Sequence, residues 1–335
     1  IDVQIDLYEK VDNETMDGCE FETVKSVKKT IQNRSTIGGI VGELPTLPDY
    51  DGEKFVGWVD EKGNFIDENA IIKTSGTYTY YAAFENTFIY FDRDYVTTDK
   101  KWVVVRERVK CPYNATIAEA SKYVSIPEDM MCRDLPITWL TFQHGTGEDE
   151  YVIGNPWYVL WAVPEGKKEL YVTGTWIGKD LELNQIGDAV YIDEDMSTEE
   201  IEEYVYQNYS ILNQDVKDVV PDGFEADGWK TSLSEFRFGW DFVFEANCKK
   251  AAIIYGYTDE KGNEIRVPVF GEAGEKIELP ETLPGYEYVK WRQVRLNSYG
   301  EKVYTPIDAS WLPLPLTTYI YEMVVEADPA GRTDP

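Results

Sequence analysis

A motif that returns about every 80 residues constrains this chain of 335 residues more than any other feature. Four segments end in an aromatic-rich stretch followed by an acidic or polar residue: Tyr78 to Glu85, Trp157 to Glu165, Trp240 to Glu245 and Tyr319 to Glu326. Aligning Phe84, Trp161, Phe244 and Val324 gives gaps of 77, 83 and 80 residues. A near-constant period over four copies predicts four modules of about 80 residues, each too small to form a large core alone. The modules are placed at 1–85, 86–165, 166–247 and 248–327, with 328–335 as a polar, Pro-containing linker. The chain starts at Ile1, shows no signal peptide, and reads as a cut from a longer protein.

A tryptophan after an aromatic or apolar residue precedes each terminal strand: Trp58 in Phe55-Val56-Gly57-Trp58, Trp139, Trp229 and Trp291. These four are structural landmarks, because large aromatics fill a small core efficiently. Ala251 to Tyr257 and Glu264 to Phe270 read as a hairpin whose turn holds Gly262 and Asn263. Ser197 and Glu200 form a capping-box start, and the Ile201, Tyr204, Val205 spacing predicts a helix near 197–209. Thr116 to Tyr123 reads as a weaker counterpart. Two hairpin strands, a crossing helix or loop and two further strands define the expected fold: α+β, mostly β, a tandem array of four small β-grasp-like modules.

Charge and composition narrow the function. The chain carries 62 Asp+Glu against 32 Lys+Arg, a formal net charge of −30. Phosphate backbones and anionic lipid faces are repelled by such a surface, so nucleic acid is not an expected partner. No apolar run is long enough to span a bilayer, so no membrane insertion is expected of this segment. The one histidine, His144, lies in a polar, Gly-rich stretch and is read as a loop residue. Without a second histidine, a metal site or a His-based triad lacks its usual parts, so no metal, cofactor or catalytic residue is expected. A glycoside hydrolase needs two carboxylates about 5 to 9.5 Å apart in a cleft, which modules of this size are not expected to form. The acidic clusters Asp92/Asp94, Glu148/Asp149/Glu150 and Asp193/Glu194/Asp195 are read as solvated loops rather than calcium sites. Cys111 and Cys132 are near enough in sequence to close a short loop by a disulfide in an oxidising compartment.

The stretch from Thr36-Ile37-Gly38-Gly39 through Leu44-Pro45 and Phe55-Val56-Gly57-Trp58 to Tyr80-Tyr81-Ala82-Ala83-Phe84 resembles the Listeria–Bacteroides repeat, of the internalin B-repeat type. The likeness covers residues 1–85 and the ends of the later copies; the second and third copies depart from it in their middles. It implies a β-grasp fold without catalytic residues, displayed outside the cell on a bacterial, Gram-positive or gut, surface. Two functions follow as expectations. One is a non-catalytic surface segment acting in adhesion or as a spacer that presents other domains, with a host or microbial surface protein as partner. The other is a carbohydrate-binding module array, in which aromatic planes stack on sugar faces of a polysaccharide. Its candidate residues are the tryptophans outside the landmarks: Trp102, Trp157, Trp176, Trp240 and Trp311.

Overall fold

The computed structural model describes residues 1–13, 18–32, 34–141, 150–286, 289–296, 302–307, 311–313 and 324–329. Strand accounts for 54% and helix for 13%, so the expectation of a mostly-β protein holds. The chain divides into two units, Ile1–Lys167 and Lys168–Pro335.

The first unit holds two four-stranded sheets. In the first, β1 (Asp2–Asn13), β2 (Gly18–Thr30), β3 (Phe55–Val59) and β4 (Gly76–Phe84) lie in the order β2-β1-β4-β3. β1 and β2 are antiparallel, whereas β1 and β4 run parallel at the centre. A parallel neighbour cannot be reached by a tight turn, so the chain crosses over between them. That crossover opens with α1 (Ile37–Val41), whose N-cap Thr36 accepts a hydrogen bond from the Gly39 N–H. Alternation along β1 turns Val3, Ile5 and Leu7 inward, where they meet Ile37, Ile40, Val41, Trp58, Tyr80 and Phe84. The Trp58 indole N–H donates to the Pro45 carbonyl at 2.8 Å.

The second sheet repeats this plan. β5 (Asn86–Val96), β6 (Trp102–Pro112), β7 (Ile137–Thr141) and β8 (Trp157–Pro164) take the order β6-β5-β8-β7, with β5 and β8 parallel. Its crossover opens with α2 (Ile117–Ala120), capped by a complete Thr116/Glu119 box. Ile89, Phe91, Val109, Cys111, Tyr158 and Leu160 face inward onto Ile117, Ala120 and Val152.

In the second unit, β9 (Lys167–Ile177), β10 (Leu183–Asp193), β11 (Trp229–Phe236) and β12 (Gly239–Ala246) are ordered β10-β9-β12-β11, again with first and last strands parallel. The helix α3 (Thr198–Asn208) is capped by Ser197 and Glu200 and buries Ile201 and Val205; α4 (Val216–Val219) follows. The fourth sheet is β14-β13-β19-β16-β17, built from β13 (Ala251–Thr258), β14 (Glu264–Gly271), β16 (Val289–Leu296), β17 (Lys302–Ile307) and β19 (Val324–Pro329). β13 and β19 are parallel. A small ribbon of β15 (Lys276–Glu278) and β18 (Trp311–Pro313) completes the unit. Trp291 repeats the clasp of Trp58, donating to the Pro280 carbonyl at 3.1 Å, and Trp229 donates to the Gln214 carbonyl at 3.1 Å. Among the described residues no helix is long and apolar enough to cross a membrane.

Candidate functional site

Two features of the first unit concentrate chemistry that a core does not need. One is the joint between its two sheets. Even-numbered residues of β1 point away from the first core, so Lys10 and Asp12 stand on the outer face and meet the second sheet. Lys10 is only 4% exposed. Its ammonium donates to the carbonyls of Phe88 (3.1 Å), Val152 (2.6 Å) and Asn155 (2.7 Å). Burial lowers its pKa to about 8, against a smaller opposing pull from Cys19 and Cys111. A buried ammonium is tolerated only when its donors are satisfied, and here three backbone acceptors do so.

Asp12 adds a second set of bonds. Its carboxylate accepts from the Tyr90 hydroxyl (2.9 Å) and from Arg108 Nε and Nη2 (3.1 and 3.0 Å). The same guanidinium donates to Asp51 (3.0 Å) and lies 4.0 Å from the Phe88 ring centre. Burial and the Asp12 carboxylate together push the Tyr90 hydroxyl up to about 12. Nearby, Lys110 pairs with Glu53 at 2.5 Å, and Glu53 also accepts from Asn86. An apolar cluster of Val59, Ala83 and Ile153, with Tyr81, Tyr113 and Tyr151 against it, closes the other side. Beside this cluster opens a cleft of about 390 Å³ lined by Glu61, Lys62, Tyr81, Glu150, Tyr151, Gly154 and Asn155. Glu150 is held there by the Tyr158 hydroxyl, 2.6 Å away.

The other feature is the outer face of the second sheet. Trp102 pairs with Val96 of β5, and Trp157 with Tyr90. Tyr90 and Val96 have the same parity on an unbroken strand, so both tryptophans project from one face. They are 43% and 45% exposed. Two strand spacings across and six residues along place them about 20 Å apart. Between them Arg106 grips Asp92 through Nε (2.6 Å) and Nη2 (2.8 Å). Aromatic planes separated by a fork of polar groups suit stacking and hydrogen bonding of an extended polar ligand.

The other sequence candidates fall elsewhere. Trp176 belongs to a core, stacked on Phe244 and edge-on to Trp229. Trp240 is half-buried on β12, opposite Glu235. Trp311 sits in β18 opposite Glu278, and its side chain lies outside the described residues. The landmarks Trp58 and Trp291 are buried, while Trp139 and Trp229 are half-buried against cores. Cys111 and Cys132 are not joined: no disulfide links any of the four cysteines. The reason is distance along one strand. Cys111 pairs with Thr87 at the start of β5, whereas Met130, two residues before Cys132, bridges Thr97 just past its end. Ten residues of extended chain, about 33 Å, separate those points, far beyond disulfide reach.

Among the described residues no group of three or more His, Cys, Asp or Glu converges to hold a metal ion. His144, Glu148 and Asp149 lie outside them. Sequence reading missed Lys10 altogether. Its one local signal is a lysine in step with Tyr8 and Asp12 on a strand whose opposite residues are apolar, and its partners lie 78 to 145 residues away. Compared with models of known families and with curated proteins, the chain matches none.

Proposed function

We propose that the chain is a non-catalytic, extracellular segment of tandem β-grasp-like modules of the Listeria–Bacteroides repeat type, acting on a bacterial surface in adhesion or as a spacer that presents other domains. The observation that carries this reading is the joint around Lys10 and Asp12. A flexible string of modules has no use for a buried ammonium with three carbonyl partners and a second set of bonds around Asp12. A segment that must hold its modules at a fixed angle does, because charged and directional bonds specify one geometry where apolar contact alone tolerates several. The recurring strand order, with first and last strands parallel, supports the repeat assignment. The net charge of −30 suits an exposed surface that must stay dispersed.

A second reading is favoured by one observation: Trp102 and Trp157 are both exposed on one sheet face. On this reading the face takes a polysaccharide, with Arg106 and Asp92 meeting its hydroxyls. Retention of the purified chain on mucin, insoluble polysaccharides and a panel of host surface proteins tests both. The adhesive reading expects retention on a protein or mucin surface that survives Trp102→Ala and Trp157→Ala. The glycan reading expects retention on a polysaccharide that falls about tenfold or more in either variant, since one stacked ring contributes about 1.5 kcal/mol. Turnover of any polysaccharide would refute the non-catalytic assignment.

A further inference from the structure

Several edge strands of these sheets carry residues that blunt an edge, whereas on β6 such residues (Lys110, Pro112) are confined to its second half. β2 carries Lys25, Lys28 and Lys29; β14 carries Arg266 and Pro268; β17 carries Lys302 and Pro306. Lysine and proline on an edge discourage pairing with another strand. β6 is the edge of the second sheet, and its first half reads Trp102-Val103-Val104-Val105, with neither device. Trp102, Val104 and Val105 are 43%, 47% and 37% exposed. Tyr123 and Ile126 are exposed as well, and Ser125 between them is bonded to Glu107 of β6. Exposed β-branched and aromatic residues on an open edge make a template for strand addition.

We propose that β6 pairs with β6 of a second copy of this chain, antiparallel and about a two-fold axis at Val104. The register itself selects this occupant. Val104 then faces its own counterpart, and Val103 faces the other copy's Val105. Trp102 falls opposite the other copy's Arg106, on the same face of the joined sheet. A guanidinium over an indole is an attractive pair, and Arg106 is already oriented by its two bonds to Asp92. Next out, Lys101 meets the other copy's Glu107, of opposite charge. Pairing stops there because Lys100, with φ of 60°, turns away from strand geometry. A strand laid on itself thus finds apolar opposite apolar, cation opposite ring and base opposite acid. The pair would join two second sheets into one of eight strands and bring both outer faces into a single surface. Repulsion between two chains of −30 opposes this contact, so added salt strengthens it.

Sedimentation equilibrium of the full chain, from about 1 to about 200 μM and at low and high salt, tests the proposal. The expected result is a monomer–dimer equilibrium that tightens with salt. Val104→Lys places two like charges on the axis and weakens the dimer about 100-fold, with an unchanged far-ultraviolet spectrum because the position is exposed. Oxidised Val104→Cys forms a covalent dimer linked at position 104. A chain that stays monomeric throughout, a dimer indifferent to Val104→Lys, or a Val104→Cys variant that does not link at that position would each overturn it. So would a monomer whose β6 edge takes up only unrelated extended peptides. The test is separate from the adhesive reading, since neither retention on a surface nor its absence bears on self-pairing.

Discussion

Asp94 is a carboxylate in a setting that disfavours its charge. It is 6% exposed on β5, its Oδ1 is unpartnered, and Asp92 lies two residues away on the same face. Burial first and Asp92 second raise its pKa to about 7. The unfolded chain releases this proton near the ordinary carboxylate value, about 3.9. Between those values the folded chain holds a proton that the unfolded chain lacks. The contribution of Asp94 is therefore greatest below about pH 4, declines as pH rises, and is gone above about pH 7. Asp94→Asn keeps the size and removes the charge, so it should stabilise the second sheet by about 2 kcal/mol at pH 8 and by much less at pH 5. Urea unfolding at the two pH values checks this, and an equal shift at both contradicts it. Gly239 makes a steric prediction. A Cβ there would lie 2.1 Å from the Glu169 backbone oxygen on the neighbouring strand. Neither backbone can yield without breaking the β9–β12 ladder, so Gly239→Ala should cost about 3 kcal/mol, seen as a lower urea midpoint.

At the scale of elements, local patterns were readable and distant ones were not. The hairpin of β13 and β14 follows from two apolar runs about a Gly-Asn turn, and α3 follows from Ser197, Glu200 and a helical apolar stripe. Both are written within about twenty residues. Ser197→Ala should lower the stability of α3 by about 1 kcal/mol, measured as faster amide exchange at Ile201 and Val205 with other elements unchanged. Trp176 shows the opposite case. It lies outside the repeated landmarks and so read as a free aromatic, yet Trp229 and Phe244, more than 50 residues on, close over it. The Cys111–Cys132 bond failed for a related reason: short separation in sequence says nothing of how far β5 carries the chain between them. The tryptophan clasps onto Pro45 and Pro280 had a signal in the repeated Leu-Pro upstream of each tryptophan, although proline there reads first as turn chemistry.

Over the whole molecule, the mostly-β character was legible, and three of the aromatic stretches read from the sequence fall in β4, β8 and β12, the last strands of their sheets; the fourth, Tyr319 to Tyr321, lies outside the described residues. How one sheet meets the next was not legible, because Lys10, Asp12, Arg108 and Glu53 find their partners across the joint. That joint carries the reading of a segment that holds its modules at fixed angles. Its most direct test is native-state hydrogen exchange of the full chain, with and without Lys10→Ala. If the joint is rigid, amides of β1 and β4 and those of β5 and β8 open together, with one shared free energy, in the wild type. Lys10→Ala removes the ammonium donor shared by the Phe88, Val152 and Asn155 carbonyls, and should split that shared opening into two, at a cost of about 2 kcal/mol to the joint. Independent opening of the two sheets in the wild type, or a Lys10→Ala chain that still opens as one unit, would contradict the account.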